Sequence, residues 1–182
     1  LAGMDGMARA KFWQKRKADG GWACIRWPKE HGGRDATAIE NVILGQEEAK
    51  VDAPETGVFG IGQGMAAPTM MTWATEEQKQ QFIPRLATGE DVWCQLFSEP
   101  AGGSDLAALR TKADRDGDDW VVNGQKIWTT WGHLADWIFA LVRTDPDAPR
   151  KQAGISMILI DLATEGITIR PIRTIADDDE FA

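Results

Sequence analysis

Two short stretches carry the residue types that binding chemistry needs. Residues 98–105 read Ser-Glu-Pro-Ala-Gly-Gly-Ser-Asp, and residues 128–131 read Trp-Thr-Thr-Trp. In the first, Gly102 and Gly103 let a ligand come close to backbone N–H donors and Ser104 adds a hydroxyl, so the loop suits pyrophosphate oxygens held as in an anion nest. The same residues also make a plain turn for steric reasons alone. The loop is not a dinucleotide fingerprint, because a further strand is expected after it where G-x-G-x-x-G requires a helix. In the second stretch, an extended backbone would project Trp128 and Thr130 from one face, offering an indole and a hydroxyl to a flat heteroaromatic ring and one of its nitrogens. Trp and Thr are equally good strand formers without any ligand. Glu99 and Asp105 look like an acid and base pair, but Pro100 and the glycines between them favour acceptors that fix the loop. His31 and His133 have no Ser, Cys or carboxylate in register and read as solvated or structural imidazoles.

The elements that must position these residues change character near Asp91. Before it the periods are helical. "GMARAKFWQKRKA" is expected to be a helix with Met7, Ala10, Phe12 and Trp13 near one side, ended by Gly20 and Gly21. Asp35 or Thr37 can cap a helix whose Ile39, Val42 and Ile43 share a face, Glu40 supplying a capping-box partner for Thr37, and Thr75 and Gln78 repeat the device. In that last helix Pro84 is expected to bend or shorten the run and Gly89 to end it. Met65, Met70 and Met71 read as core filling, with the wall of an acyl pocket as the alternative. From Val92 the pattern alternates. "VWCQLFS" is a short strand, a hairpin is expected at Asp116-Gly117 and a second at Asn123-Gly124, and "DWIFALVRTD", "GISMILIDL" and "GITIRPI" add three more strands. About seven strands at this spacing imply a closed or sandwiched antiparallel sheet of Greek-key type. The fold class is therefore α+β: a partial N-terminal α-helical domain over residues 1–91, then an antiparallel β-barrel or sandwich over residues 92–182.

Composition narrows the function classes. The 182 residues carry 20 Lys and Arg against 28 Asp and Glu, a formal charge of −8, which repels phosphate backbones and weighs against nucleic acid as a partner. Cys24 and Cys94 sit in apolar runs without a second ligand at metal spacing, so buried thiols in a reducing compartment are expected and no metal. No stretch approaches the roughly 20 apolar residues of a membrane span and no signal peptide opens the chain, which reads as cytoplasmic. Both ends read as cut from a longer protein. "ADDDE" at residues 176–180 reads as a solvated acidic turn.

Taken in order, "GWACIRWPKEHGG", "ATEEQKQQFIPRLATGE", "CQLFSEPAGGSDLAALRTKA", "DWVVNGQKIWTTWGHLADW" and "GISMILIDLATEGITIRPI" resemble the acyl-CoA dehydrogenase family over nearly the whole chain. The resemblance implies a flavoenzyme of lipid metabolism, as in fatty acid β-oxidation. Such an enzyme binds FAD non-covalently, oxidises an acyl-CoA thioester to the trans-2-enoyl-CoA, and passes electrons to an electron-transfer flavoprotein. It implies a homotetramer or paired unlike subunits. It also implies Gln95, Phe97 and Ser98 at the isoalloxazine and its pyrimidine edge, and Gly103 and Ser104 at the phosphates, with Ser104 also near acyl-CoA. Trp128, Thr129 and Thr130 fall at the ring system, the Thr130 hydroxyl donating to flavin N5. The family loop usually reads Gly-Ala-Gly-Ser-Asp where this chain has Ala101-Gly102-Gly103-Ser104-Asp105, a modest change of loop shape. The family's catalytic glutamate would lie beyond Ala182, so no catalytic residue is assigned here and the chain alone is expected to be inactive. Two other readings share the scaffold: a non-catalytic subunit or truncated paralogue supporting a partner's flavin site, and a flavin oxidase or monooxygenase.

Overall fold

Asp5 accepts a hydrogen bond from Ala8 N at 2.7 Å and so starts α1, Gly6–Asp19, in a computed structural model that describes residues 3–182. The helix ends where Gly20 returns its N–H to Arg16 O and Gly21 takes the left-handed conformation at φ +70°. Its fully buried positions are Ala10 and Gln14, one turn apart; Phe12 lies off that stripe and is exposed. Gln14 reaches across to the Ala87 carbonyl at 2.9 Å.

Both capping boxes form. Thr37 and Glu40 start α2, Ala38–Glu48, and Thr75 and Gln78 start α4, Glu76–Thr88; between them lies α3, Ala67–Trp73, preceded by a π-helical turn at Gly62–Ala66. The shared face of α2 is not buried: Ile39, Val42 and Ile43 are all exposed. Helix α4 does not stop at Pro84. It runs on to Thr88 because Phe82, Ile83 and Leu86 are buried on one side, and that packing outweighs the hydrogen bond proline cannot make to the Gln80 carbonyl. Gly89 ends it in the left-handed region at φ +69°. A methyl group on Gly89 would come within 2.8 Å of Gln14 Cγ and 2.9 Å of Phe59 Cζ, so the same glycine also lets α1 and α4 close together.

The chain divides into two compact units, Leu1–Val92 and Trp93–Ala182. The second is a five-stranded sheet built around β4, Trp137–Arg143. Along one edge of β4 runs antiparallel β5, Ile155–Asp161, in register from Trp137 opposite Asp161 to Arg143 opposite Ile155. Along the other edge lies β1, Trp93–Leu96, pairing in parallel from Trp93 opposite Trp137 to Leu96 opposite Ala140. Further along that edge β2, Lys112–Asp116, meets β4 at Arg143 and pairs outward with β3, Asp119–Asn123. Gly117, at φ +63°, opens the two-residue turn between them. Ala113, Ala140 and Val142 form one buried cluster of the core, with Leu96, Ile158 and Ile160 packed against it.

The α+β class holds, but the sheet is mixed and open, not an antiparallel barrel or sandwich. Two expected strands account for the difference. The Asn123-Gly124 hairpin does not form, because Gly124 presses against Thr111 so tightly that an added Cβ would sit 2.7 Å from Thr111 Cα; the chain beyond it leaves the sheet. "GITIRPI" makes a single bridge, Ile172 to Phe181, and its Ile167 and Ile169 stay exposed, so among the described residues it has no ladder to join.

Candidate functional site

Strand β1 alternates, so Leu96 turns toward the core while Gln95 and Phe97 turn to the opposite face. There Phe97 meets Phe139 edge to face, with ring centroids 5.7 Å apart. Beyond the strand, Glu99 and Gly102 exchange both backbone hydrogen bonds, at 2.9 and 3.0 Å, folding the chain into a tight turn over Pro100 and Ala101. The turn brings Gly103 back to Ser98: a Cβ on Gly103 would lie 3.4 Å from Ser98 Oγ. Gly103 and Ser104 are exposed, and Gln95, Phe97 and Ser98 are half-buried.

Glu99 is buried and its carboxylate is the anchor of this turn. Its Oε2 accepts from Arg110 N at 2.7 Å and its Oε1 from Thr111 N at 2.9 Å and from Lys126 Nζ at 3.0 Å. Burial pushes the carboxyl pKa up, and the hydrogen bonds from Thr111, Arg110 and Lys126 more than offset this, holding it down at about 2. For Lys126, burial lowers the pKa while the hydrogen bond and charge of Glu99 raise it, leaving it below the usual lysine value.

The second stretch arrives next to the first through Ile127, whose N–H donates to Ser98 O at 3.1 Å. The expected strand over residues 128–131 is absent. Trp128 and Trp131 both sit in the left-handed region, at φ +63° and +51°, a conformation that bulky residues rarely adopt and that costs on the order of 1–3 kcal/mol each. Trp128 and Thr130 therefore do not share a strand face. The C-terminal segment holds the stretch in place: Thr129 and Ala182 exchange hydrogen bonds at 2.9 and 3.0 Å, and Trp131 N donates to Glu180 O at 2.7 Å. Thr129 is buried and Thr130 half-buried, whereas Trp128 is 59% exposed, its ring nearly perpendicular to that of Phe181 at a centroid distance of 6.2 Å.

The structure thus gathers Phe97, Ser98 and Gly103 and runs the backbone leading to Trp128 alongside Ser98. Ser104 follows Gly103 in the same loop and is exposed. His31 lies in the turn Lys29–His31 with its Nε2 3.8 Å from Glu30 Oε1, and His133 in the turn Gly132–Leu134, its buried Nδ1 without a hydrogen-bond partner among the described residues. Lys126 escaped sequence reasoning. Its signal was a lone lysine in "NGQKIW", one residue before an apolar run, whose charge has to find a partner if the run is buried. Among the described residues no group of three or more His, Cys, Asp and Glu is placed to hold a metal, and no helix is long and apolar enough to cross a membrane.

Against known proteins, the family model for the acyl-CoA dehydrogenase N-terminal domain matches residues 4–90 and that for the middle domain residues 94–179. Acyl-CoA dehydrogenase IpdE1 of Mycobacterium tuberculosis is 43% identical over 171 residues, covering 94% of this chain and 44% of the relative. Among solved structures, the Tcur3481-Tcur3483 steroid ACAD G363A variant superposes with a TM-score of 0.82 at 37% identity, covering 93% of this chain and 43% of the other. The ChsE4-ChsE5 complex from Mycobacterium tuberculosis gives a TM-score of 0.81 at 40% identity, over 95% of this chain and 44% of its counterpart. The chain spans less than half the length of these three proteins. Two family models in sequence order, relatives at these identities and a shared fold place the chain in the acyl-CoA dehydrogenase family.

Proposed function

We propose that this chain supplies the flavin-binding part of an FAD-dependent acyl-CoA dehydrogenase. The observation that carries the reading is the Ile127 to Ser98 hydrogen bond, which runs the backbone entering Trp128 alongside Ser98, the residue that Gly103 closes against. The residues present fit the cofactor: Trp128 offers an exposed indole, Ser98 and Thr130 offer hydroxyls, and the glycine at 103 leaves backbone open to close approach. Bound there, FAD supplies a two-electron acceptor for the hydride leaving the β-carbon of an acyl-CoA thioester. Trp128 would pack by the ring system with Thr129 behind it, and Thr130 would donate to N5, the ring nitrogen that accepts the hydride, steadying the charge that moves onto the ring. Gln95, Phe97 and Ser98 line the ring and its pyrimidine edge, while Gly103 and Ser104 donate to phosphate oxygens, Ser104 also bordering the acyl-CoA. The carboxylate that takes the α-proton is assigned to a part of the enzyme outside residues 1–182.

A second reading has a specific support. The similarity to the ChsE4-ChsE5 complex favours pairing of unlike subunits over a homotetramer, and in such a pair this chain contributes a cradle to a shared site. Electrons pass onward to an electron-transfer flavoprotein in either case. The two buried free thiols accord with a cytoplasmic enzyme. The test is substitution in the full-length protein: Trp128→Ala and Thr130→Val should each weaken FAD binding or slow flavin reduction by about 1 kcal/mol, roughly fivefold. Unchanged affinity and reduction rate in both variants would remove the cradle from residues 128–130.

A further inference from the structure

We propose that Glu99 and Lys126 are positioning residues that hold the 98–104 loop and the 128–130 segment in register with one another. Its consequence for FAD rests on the flavin reading above, while the geometry stands without it. The ammonium of Lys126 has three donors and three acceptors: Leu141 O at 2.7 Å, Glu99 Oε1 at 3.0 Å and Phe97 O at 3.1 Å. Both side chains of the pair are 6% exposed. One cation therefore ties together the residue after β1, the first residue of the loop turn and the middle of β4. Through Glu99 it also reaches the chain entering β2, since Arg110 N and Thr111 N donate to the same carboxylate.

The placement along the sequence gives the clamp its direction. Lys126 fastens its side chain to Phe97 and Glu99, and the next residue, Ile127, fastens its N–H to Ser98 O between them. The residue after that is Trp128 at φ +63°. A strained backbone persists only where its surroundings over-determine it. Here the clamp fixes the segment on its N-terminal side, and the Thr129 to Ala182 and Trp131 to Glu180 bonds fix it on the other. A buried ion pair is weak support for overall stability, because an apolar pair of similar volume is often neutral or better; the role left to it is to specify one arrangement.

The test uses the full-length protein without and with FAD, in wild type, Lys126→Met, Glu99→Gln and the double variant. In the FAD-free form, amide exchange at Ile127 and Thr111 should speed at least tenfold in each single variant while amides of the β4 and β5 ladder keep their protection. The FAD dissociation constant should rise at least tenfold in each single variant, and the double variant should add little to either, as expected for two halves of one device. Exchange that is unchanged at Ile127, or that rises equally across β4 and β5, overturns the proposal, as do strictly additive effects. If Lys126→Met does not accumulate as folded protein, Glu99→Gln carries the same comparison; if neither variant folds, the pair serves the whole unit and the proposal is overturned. If the exchange pattern appears but wild type takes up no FAD, the clamp stands and the flavin reading fails.

Discussion

Gly124→Ala should destabilise this chain for a reason that has nothing to do with glycine's freedom to take positive φ. Gly124 is not among the left-handed glycines. What it provides is room: a Cβ there would lie 2.3 Å from Thr111 Oγ1, 2.6 Å from Thr111 Cβ and 2.7 Å from Thr111 Cα. Rotating Thr111 about χ1 moves the hydroxyl but neither of the other two atoms, so the two backbones must part by about 1 Å to reach ordinary contact distances near 3.5–4.0 Å. Overpacking of this kind costs about 1–3 kcal/mol. If the movement pulls Thr111 N from its 2.9 Å bond to Glu99, a buried acceptor loses a partner and the cost rises by about 1–3 kcal/mol more. The contrast is Gly45→Ala in the interior of α2, where an added Cβ meets nothing within 4 Å and helix propensity predicts a gain of about 0.8–1.0 kcal/mol. Equilibrium urea unfolding of the full-length protein, with amide exchange read within β2 and β4, measures both. Gly124→Ala as stable as wild type, with exchange in β2 unchanged, would refute the close approach and reopen a hairpin at Asn123-Gly124.

Three further outcomes follow from the same contacts. Thr75→Ala removes the capping box that starts α4, where Thr75 Oγ1 accepts from Gln78 N and Gln78 Oε1 from Thr75 N; urea unfolding should show a loss of about 1 kcal/mol, recovered in large part by Thr75→Ser. Glu99 has its folded pKa lowered to about 2, so its contribution is complete above the ordinary carboxylate range and is lost as pH falls through the native value. The stability gap between wild type and Glu99→Gln should therefore be flat above about pH 5 and narrow steadily toward pH 2; a gap independent of pH would count against a charged Glu99. Cys24 and Cys94 are buried and burial pushes both thiols up to about 12, so neither should react with a thiol reagent at pH 8 until denaturant is added.

The parts legible in the sequence are those set by neighbours along the chain. Thr37 with Glu40 and Thr75 with Gln78 announce helix starts because each box is complete within four residues, and Gly89 announces an end for the same reason. The β2–β3 hairpin is local and was readable; the parallel pairing of β1 with β4 joins residues some forty positions apart, and no turn chemistry signals it. Asn123-Gly124 has the composition of a tight hairpin, yet the contact with Thr111 and the Ile127 to Ser98 bond decide its course. The candidate site divides the same way. Phe97, Ser98 and Gly103 come together through one short turn, whereas the left-handed backbone at Trp128 and Trp131 depends on pairing with residues 180–182, which no spacing within "WTTW" records. The role of Lys126 depends on three acceptors from two distant segments, so a single lysine in the sequence carries almost none of it.

The most direct measurement is titration of the full-length, FAD-free protein with FAD, followed by anaerobic addition of a panel of acyl-CoA and steroid-CoA thioesters while the visible flavin absorption is recorded. A flavin cradle in an acyl-CoA dehydrogenase predicts a yellow protein whose absorption is bleached by at least one thioester without oxygen. A colourless protein that takes up no FAD would contradict it.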